Sequence, residues 1–145
     1  MWAFLLLALA AGIMMAFQGS INGAFSKVIG GWEATLIVHL TGLFLVLFCL
    51  FVLHLGRGDW QKISQAPAYF YLGGILNVAI IFAVMTAIAQ AGPGKATTAI
   101  LVGQLLCALL INHFGLFGLD QSPLTWGKGL GVVLLLAGGK LIIGK

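Results

Sequence analysis

Amide side chains recur at helical spacing inside the most apolar parts of this chain. Gln18 and Asn22 are four residues apart, so they share one face of a helix. Asn77 lies in a second apolar stretch, and Thr97 and Gln104 follow one stripe of a third. Uncharged polar groups in such surroundings either line a cavity that binds a solute or hydrogen-bond neighbouring helices to each other. We favour the cavity for all five residues, and the second interpretation stays open.

Two ionisable residues lie in the first half of another apolar stretch. Glu33 falls in the first turn of the predicted helix, where the helix dipole favours a carboxylate, so its role is either capping or proton coupling. His39 lies about two turns further along. It is either a neutral imidazole bonded to another helix or a group that titrates or contacts a substrate. We include His39 among the cavity residues.

Sequence motifs for catalysis do not occur in this chain. It contains no HExxH, GxSxG or CxxC motif and no glycine-rich phosphate loop, and its three acidic residues form no close pair. Cys49 and Cys107 both lie in apolar stretches, where cysteine behaves as a small hydrophobic residue. We therefore predict that the protein is not an enzyme and holds neither a metal nor a cofactor.

Five long apolar stretches must position the polar residues. The chain is 61% hydrophobic and 7% charged, and a bilayer core about 30 Å thick requires about 20 apolar residues per helix. Runs such as Leu43–Leu53 do not alternate between apolar and polar residues as barrel strands do, so the stretches are helices. We predict a single all-α domain over residues 1–145, with transmembrane spans at 2–24, 32–55, 69–90, 94–117 and 125–143.

Pairs of small residues predict where these helices pack closely. Gly19 and Gly23 are four residues apart in the first span, and Gly127 and Gly131 repeat this spacing in the fifth. Gly103 lies beside the polar stripe of the fourth span. Small residues at this spacing let the backbones of two membrane helices approach each other.

The cations do not specify an orientation in the membrane. Five spans divide them three against four between the two sides: Arg57, Lys62 and Lys128 against Lys27, Lys95, Lys140 and Lys145. An excess of Lys and Arg on the cytoplasmic side normally sets the orientation. We favour insertion in both orientations followed by antiparallel pairing, and the alternative is that partner contacts or the insertion machinery decide. The cations form no cluster, so we predict no nucleic-acid partner.

Four segments together resemble the YdcZ-like five-helix branch of the drug/metabolite transporter superfamily. They are residues 17–30 (FQGSINGAFSKVIG), 92–106 (GPGKATTAILVGQLL), 112–119 (NHFGLFGL) and 123–143. The family includes dual-topology proteins, so the resemblance implies transport and supports an antiparallel homodimer. Its motif residues correspond here to Gln18, Asn22, Gly103 and Gln104.

The expected function is transport of a small solute across the inner membrane, by alternating access in an inverted-symmetry dimer. The expected partners are the lipid bilayer, a second copy of the chain in the opposite orientation, and a small-molecule substrate that the sequence does not identify. Two alternatives remain open at this point. One is a passive channel built on the same dimer, and the other is a non-transporting partner subunit of another membrane protein.

Overall fold

The computed structural model describes residues 1–144, which contain helices and no strand. Five long helices occur in this range, and each is long and apolar enough to cross a membrane. They are α1 (Trp2–Ile29), α2 (Gly31–Phe51), α3 (Leu72–Ala91), α4 (Pro93–Phe114) and α5 (Trp126–Ile143). Short 3₁₀ helices occupy Trp60–Gln65, Ala68–Tyr71 and Leu116–Gly118. The prediction of an all-α fold with five spanning helices is confirmed.

The helix ends differ from the predicted spans where local backbone geometry intervenes. α1 continues beyond residue 24 to Ile29, because the first residue that breaks it is Gly30. α2 ends at Phe51 instead of residue 55, and His54 adopts a positive φ of 50° in the turn that follows. α4 ends at Phe114 instead of residue 117, because Gly115 takes the left-handed conformation that commonly terminates helices.

A single glycine with an unusual backbone conformation precedes α2 and another precedes α4. Gly30 has φ 99° and ψ 156°, and Gly92 has φ 82° and ψ 157°. This region of backbone space is accessible essentially to glycine alone. In both turns a buried alanine, Ala34 or Ala96, donates its backbone N–H to the glycine carbonyl at 3.1 Å. The same local structure therefore starts two of the five helices.

The chain divides into two compact units, of which the first is Met1–Ala89. α1 and α2 form a hairpin through Gly30, and α3 contacts both helices. Gly23 of α1 lies against Met85 and Ile88 of α3, and the Thr35 hydroxyl of α2 lies 3.9 Å from the Met85 sulfur. Met85 has no exposed surface, so this contact forms the centre of the unit.

The second unit begins at Gln90 and contains α4 and α5. Gly139 of α5 packs on α4, because a Cβ atom at this position would lie 3.2 Å from the Thr98 methyl group. The loop after α4 folds back onto that helix. Ser122 N–H donates to the Asn112 carbonyl at 2.7 Å, and the Gln121 amide donates to the His113 carbonyl at 2.9 Å. Lys145, one of the cations counted above, lies outside the described residues.

Most of the helical surface is not covered by the chain itself. In the most apolar window of each of the five helices, only 6–11% of the residues are buried. Large side chains such as Phe4, Phe44 and Leu134 remain more than half exposed. Such surfaces suit lipid tails or another membrane-embedded protein, since the helices satisfy their backbone hydrogen bonds internally.

Candidate functional site: a polar cleft in the first unit

A cleft of about 460 Å³ opens among α1, α2 and α3 within the first unit. Gln18 of α1, His39 of α2 and Asn77 of α3 contribute its polar side chains. The remaining walls are apolar: Val38, Gly42, Leu43, Val46 and Ile81. The volume falls within the roughly 300–1,000 Å³ typical of small-molecule sites, and the mixture of apolar walls with a few polar groups is also typical of them.

Two of the three polar residues of the cleft, Gln18 and His39, lie far from the helix ends, whereas Asn77 is about 7.5 Å along α3 from Leu72. At 1.5 Å per residue, His39 is about 12 Å along α2 from Gly31, and Gln18 is about 17 Å from the last residue of α1. The hydrocarbon core is about 30 Å thick, so half its depth is about 15 Å. Gln18 and His39 therefore lie well inside the apolar spans formed by α1 and α2.

Two hydrogen bonds fix the imidazole of His39. Its Nδ1 lies 2.7 Å from the backbone carbonyl oxygen of Thr35, and because a carbonyl can only accept, Nδ1 carries the proton. Its Nε2 lies 3.1 Å from the side-chain nitrogen of Asn77, so in this orientation of the amide Asn77 donates and Nε2 accepts. The side chains form a chain of donors from Asn77 through a neutral His39 to the Thr35 carbonyl.

This contact also fixes how α2 and α3 align. Trp32 near the start of α2 stacks on Phe82 with ring centroids 4.3 Å apart, and His39, further along α2, bonds the earlier residue Asn77. The two helices therefore run antiparallel. His39 and Asn77 hold the middle of this contact, and the aromatic stack holds the end next to the Gly30 turn.

The amides of Gln18 and Asn77 keep hydrogen-bonding groups available for a ligand. Gln18 makes no side-chain hydrogen bond within the described residues, and Asn77 has its oxygen and second N–H left over from the bond to His39. Both residues are exposed on the open side of the cleft. An amide facing hydrocarbon without a partner costs several kcal/mol (roughly 2–7). These two amides are therefore expected to face water or other polar groups rather than lipid tails.

The structure brings together three of the six predicted cavity residues, namely Gln18, His39 and Asn77. Asn22 is not part of the cleft wall. It lies one turn from Gln18 with 6% of its surface exposed, next to buried Gly23. Gln104, which is exposed, and Thr97, which is half-buried, belong to α4 in the second unit. A cavity role for these last two residues stays a prediction.

The apolar walls of the cleft were not predicted from the sequence. Val38, Gly42 and Val46 follow each other at intervals of four residues, so they form one stripe of α2 adjacent to His39. This spacing predicts an apolar stripe that begins next to His39. Nothing in the sequence indicates that Ile81 of α3 completes the wall.

The predicted close-packing glycines fall into two groups. Gly19 and Gly23 are buried against α3, where added Cβ atoms would lie 2.7 Å from Ile88 Cδ1 and 3.0 Å from Ile88 Cγ2, respectively. Gly103, Gly127 and Gly131 face open space among the described residues. For these three, close packing stays a prediction.

Replacing Gly23 by valine should destabilise the first unit. The new Cβ would lie 3.3 Å from both the Met85 carbonyl oxygen and Ile88 Cβ, and neither atom is the mobile end of a side chain. We expect the free energy of unfolding to fall by about 1–3 kcal/mol, as overpacking usually costs. Thermal unfolding of the purified protein in detergent measures the change. Gly12→Val is the matched control, since nothing lies within 4 Å of its added Cβ; equal melting temperatures for the two variants would contradict the packing assignment.

Five helices long and apolar enough to cross a membrane, three of which enclose a polar cleft, define a polytopic helical membrane protein. A family model described as "Putative inner membrane exporter, YdcZ" matches residues 3–141, and the chain belongs to this family. It is a multi-pass transporter of the inner membrane, and the family is not one of enzymes. The resemblance and the localisation predicted from the sequence are confirmed. Neither the curated proteins nor the solved structures include a significant match.

Proposed function

We propose that this protein carries a small solute across the inner membrane by alternating access and binds it in the cleft formed by Gln18, His39 and Asn77. The observation that carries the proposal is the depth of this cleft together with its unused amide groups. Solute sites of secondary transporters lie near the bilayer midplane, where each side of the membrane can gain access in turn. The description of the family supports export as the direction.

In this proposal the three polar residues have different roles. Asn77 and Gln18 contact the solute, because their amides retain free donors and acceptors. His39 has both ring nitrogens engaged, so it orients the Asn77 amide instead of contacting the solute itself. The backbone carbonyl of Thr35 completes the arrangement by selecting the tautomer of His39.

We further propose that the working unit is a pair of identical five-helix domains, each covering residues 1–145, in opposite orientations. Cations divided three against four do not favour one orientation. The exposed amides on the open side of the cleft require a polar cover, and a second copy can supply it. An inverted pair also provides the two exchangeable gates that many transporters obtain from an internal inverted repeat.

A substrate-blind thermal-shift screen of the purified protein, followed by flux measurements, tests the transport proposal. A solute that raises the melting temperature should cross liposomes containing the protein with a saturable rate, and the rate should rise when unlabelled solute is present on the opposite side. Asn77→Leu should abolish the thermal shift, because it removes the oriented amide while roughly preserving side-chain volume. Gln61→Leu, which changes an exposed amide in the connection between α2 and α3, should preserve it.

Other flux results would contradict the carrier. A rate that grows in proportion to the gradient without saturating would indicate a passive channel. A protein without flux alone that forms a stable complex with a different membrane protein would indicate a partner subunit. A thermal shift unaffected by Asn77→Leu would place the solute elsewhere.

A further inference from the structure

Every polar side chain that lines the cleft in the described structure is uncharged. Gln18 and Asn77 are amides, and His39 is neutral in the observed arrangement because its Nε2 accepts from Asn77 while its Nδ1 donates to Thr35. The other five wall residues are four aliphatic side chains and a glycine. The polar wall therefore offers neutral hydrogen-bond donors and acceptors, surrounded by hydrocarbon.

Such a wall recognises some solutes and rejects others on electrostatic grounds. An ion that enters a site at mid-membrane depth loses its hydration, and a site tolerates this only where an opposite charge or several oriented dipoles replace the lost water. The cleft provides two amides with part of their hydrogen-bonding capacity free. These satisfy an amide or hydroxyl group, whereas the aliphatic walls favour an apolar body attached to it.

We infer that the cleft selects uncharged solutes that carry an amide or hydroxyl group on a small apolar body. This inference rests on the proposed transport function and names the substrate class of the same site. Gln18 and Asn77 recognise the solute by hydrogen bonding, and His39 holds the Asn77 amide in a fixed orientation.

Reaction rates of a cysteine placed in the cleft test this charge selectivity without a known substrate. The full-length protein would carry Cys49→Ala, Cys107→Ala and Gln18→Cys and would react with three ethyl methanethiosulfonates that differ in their end group. These are the neutral hydroxyethyl, the cationic trimethylammonium-ethyl and the anionic sulfonatoethyl reagents. Rates are normalised to Ser64→Cys in the same background, since residue 64 is exposed in the connection between α2 and α3. We expect the neutral reagent to react about ten-fold or more faster than either charged reagent.

Adding a charge to the cleft tests whether the cleft itself controls the selectivity. The alternative is that neutral reagents simply partition better into apolar surroundings. Gly42 lines the cleft, and nothing lies within 4 Å of a Cβ added there, so Gly42→Asp fits without displacing a neighbour. In the Gln18→Cys background it should raise the cation-to-anion rate ratio by about ten-fold or more. Gly12→Asp is the matched control, since its added Cβ is equally free and it does not line the cleft; it should leave the ratio unchanged. Gly42→Ser reports any effect of side-chain size alone.

Each other outcome has a distinct meaning. A charged reagent that reacts at Gln18→Cys as fast as the neutral one would overturn the inferred substrate class, while saturable flux would still support the carrier. A cysteine inert to all three reagents would also overturn it, because solutes would not reach the cleft. Equal cation-to-anion ratios in Gly42→Asp and Gly12→Asp would show that the cleft does not control the selectivity. Flux that fails to saturate would contradict the proposal of a carrier, whatever the labelling pattern.

Discussion

Three lysines added to the connection between α2 and α3 should abolish transport by the protein expressed alone. The changes Gln61→Lys, Ser64→Lys and Gln65→Lys all fall at exposed positions. They convert a cation count of three against four into six against four, which favours the cytoplasm for this connection. All copies then insert the same way, and an antiparallel pair cannot form. A reporter fused to the C-terminus gives the orientation, and liposome flux of the solute found by thermal shift gives the activity.

A variant fixed in the reverse orientation needs substitutions at exposed helix ends, because Gly30 is the only residue between α1 and α2. Val28→Lys and Gln90→Lys, both exposed, change three against four into three against six. This form should adopt the reverse orientation and should also be inactive alone. Co-expression of the two locked forms should restore transport. Full activity from either form by itself would rule out the antiparallel pair.

Gly30→Ala should cause the largest loss of stability among the conservative changes to this chain. The residue adopts φ 99° and ψ 156°, where an L-amino acid is strained, and the new methyl group would also meet the Glu33 carboxylate. The backbone strain alone is expected to cost about 1–3 kcal/mol, and the contact adds to it. Because the turn joins α1 to α2, the loss should extend to the contacts of both helices with α3. Thermal unfolding in detergent provides the measurement.

Two companion variants separate backbone strain from the contact with Glu33. Gly30→Ala combined with Glu33→Ala removes the carboxylate but keeps the strain, so most of the lost stability should persist. Gly58→Ala is the control, since Gly58 has no positive φ and nothing lies within 4 Å of its added Cβ. If Gly30→Ala melted at the wild-type temperature, the backbone conformation assigned to this turn would be wrong.

The five spans were predictable because they depend on properties local in the sequence. A continuous run such as Leu43–Leu53 is too apolar and too regular for any environment except a membrane, whatever its neighbours are. Helix ends were less predictable, since they depend on single backbone conformations. Gly115 in the left-handed region ends α4 early, and α2 ends shortly before the turn in which His54 takes a positive φ. Hydropathy carries no information about either angle.

The cleft was predictable in part, for a similar reason. The selection of Gln18, His39 and Asn77 as candidates followed from the cost of polar groups among apolar ones. The hydrogen bond between His39 and Asn77 could not be predicted in this way, because it depends on the register of α2 against α3. Helical spacing relates residues within one helix, whereas the alignment of two helices depends on side-chain packing between them, here including Trp32 on Phe82.

The connections within the first unit differ greatly in length, and this has a consequence for how the chain can be altered. One residue, Gly30, separates α1 from α2, whereas residues 52–71 separate α2 from α3. Loop tips that are exposed and lightly bonded accept extra sequence, and Gly58, with open space around it, fits this description. An insertion between α1 and α2 is therefore expected to disrupt the hairpin. The longer connection is a place where an epitope, a split point or a new chain terminus could be introduced.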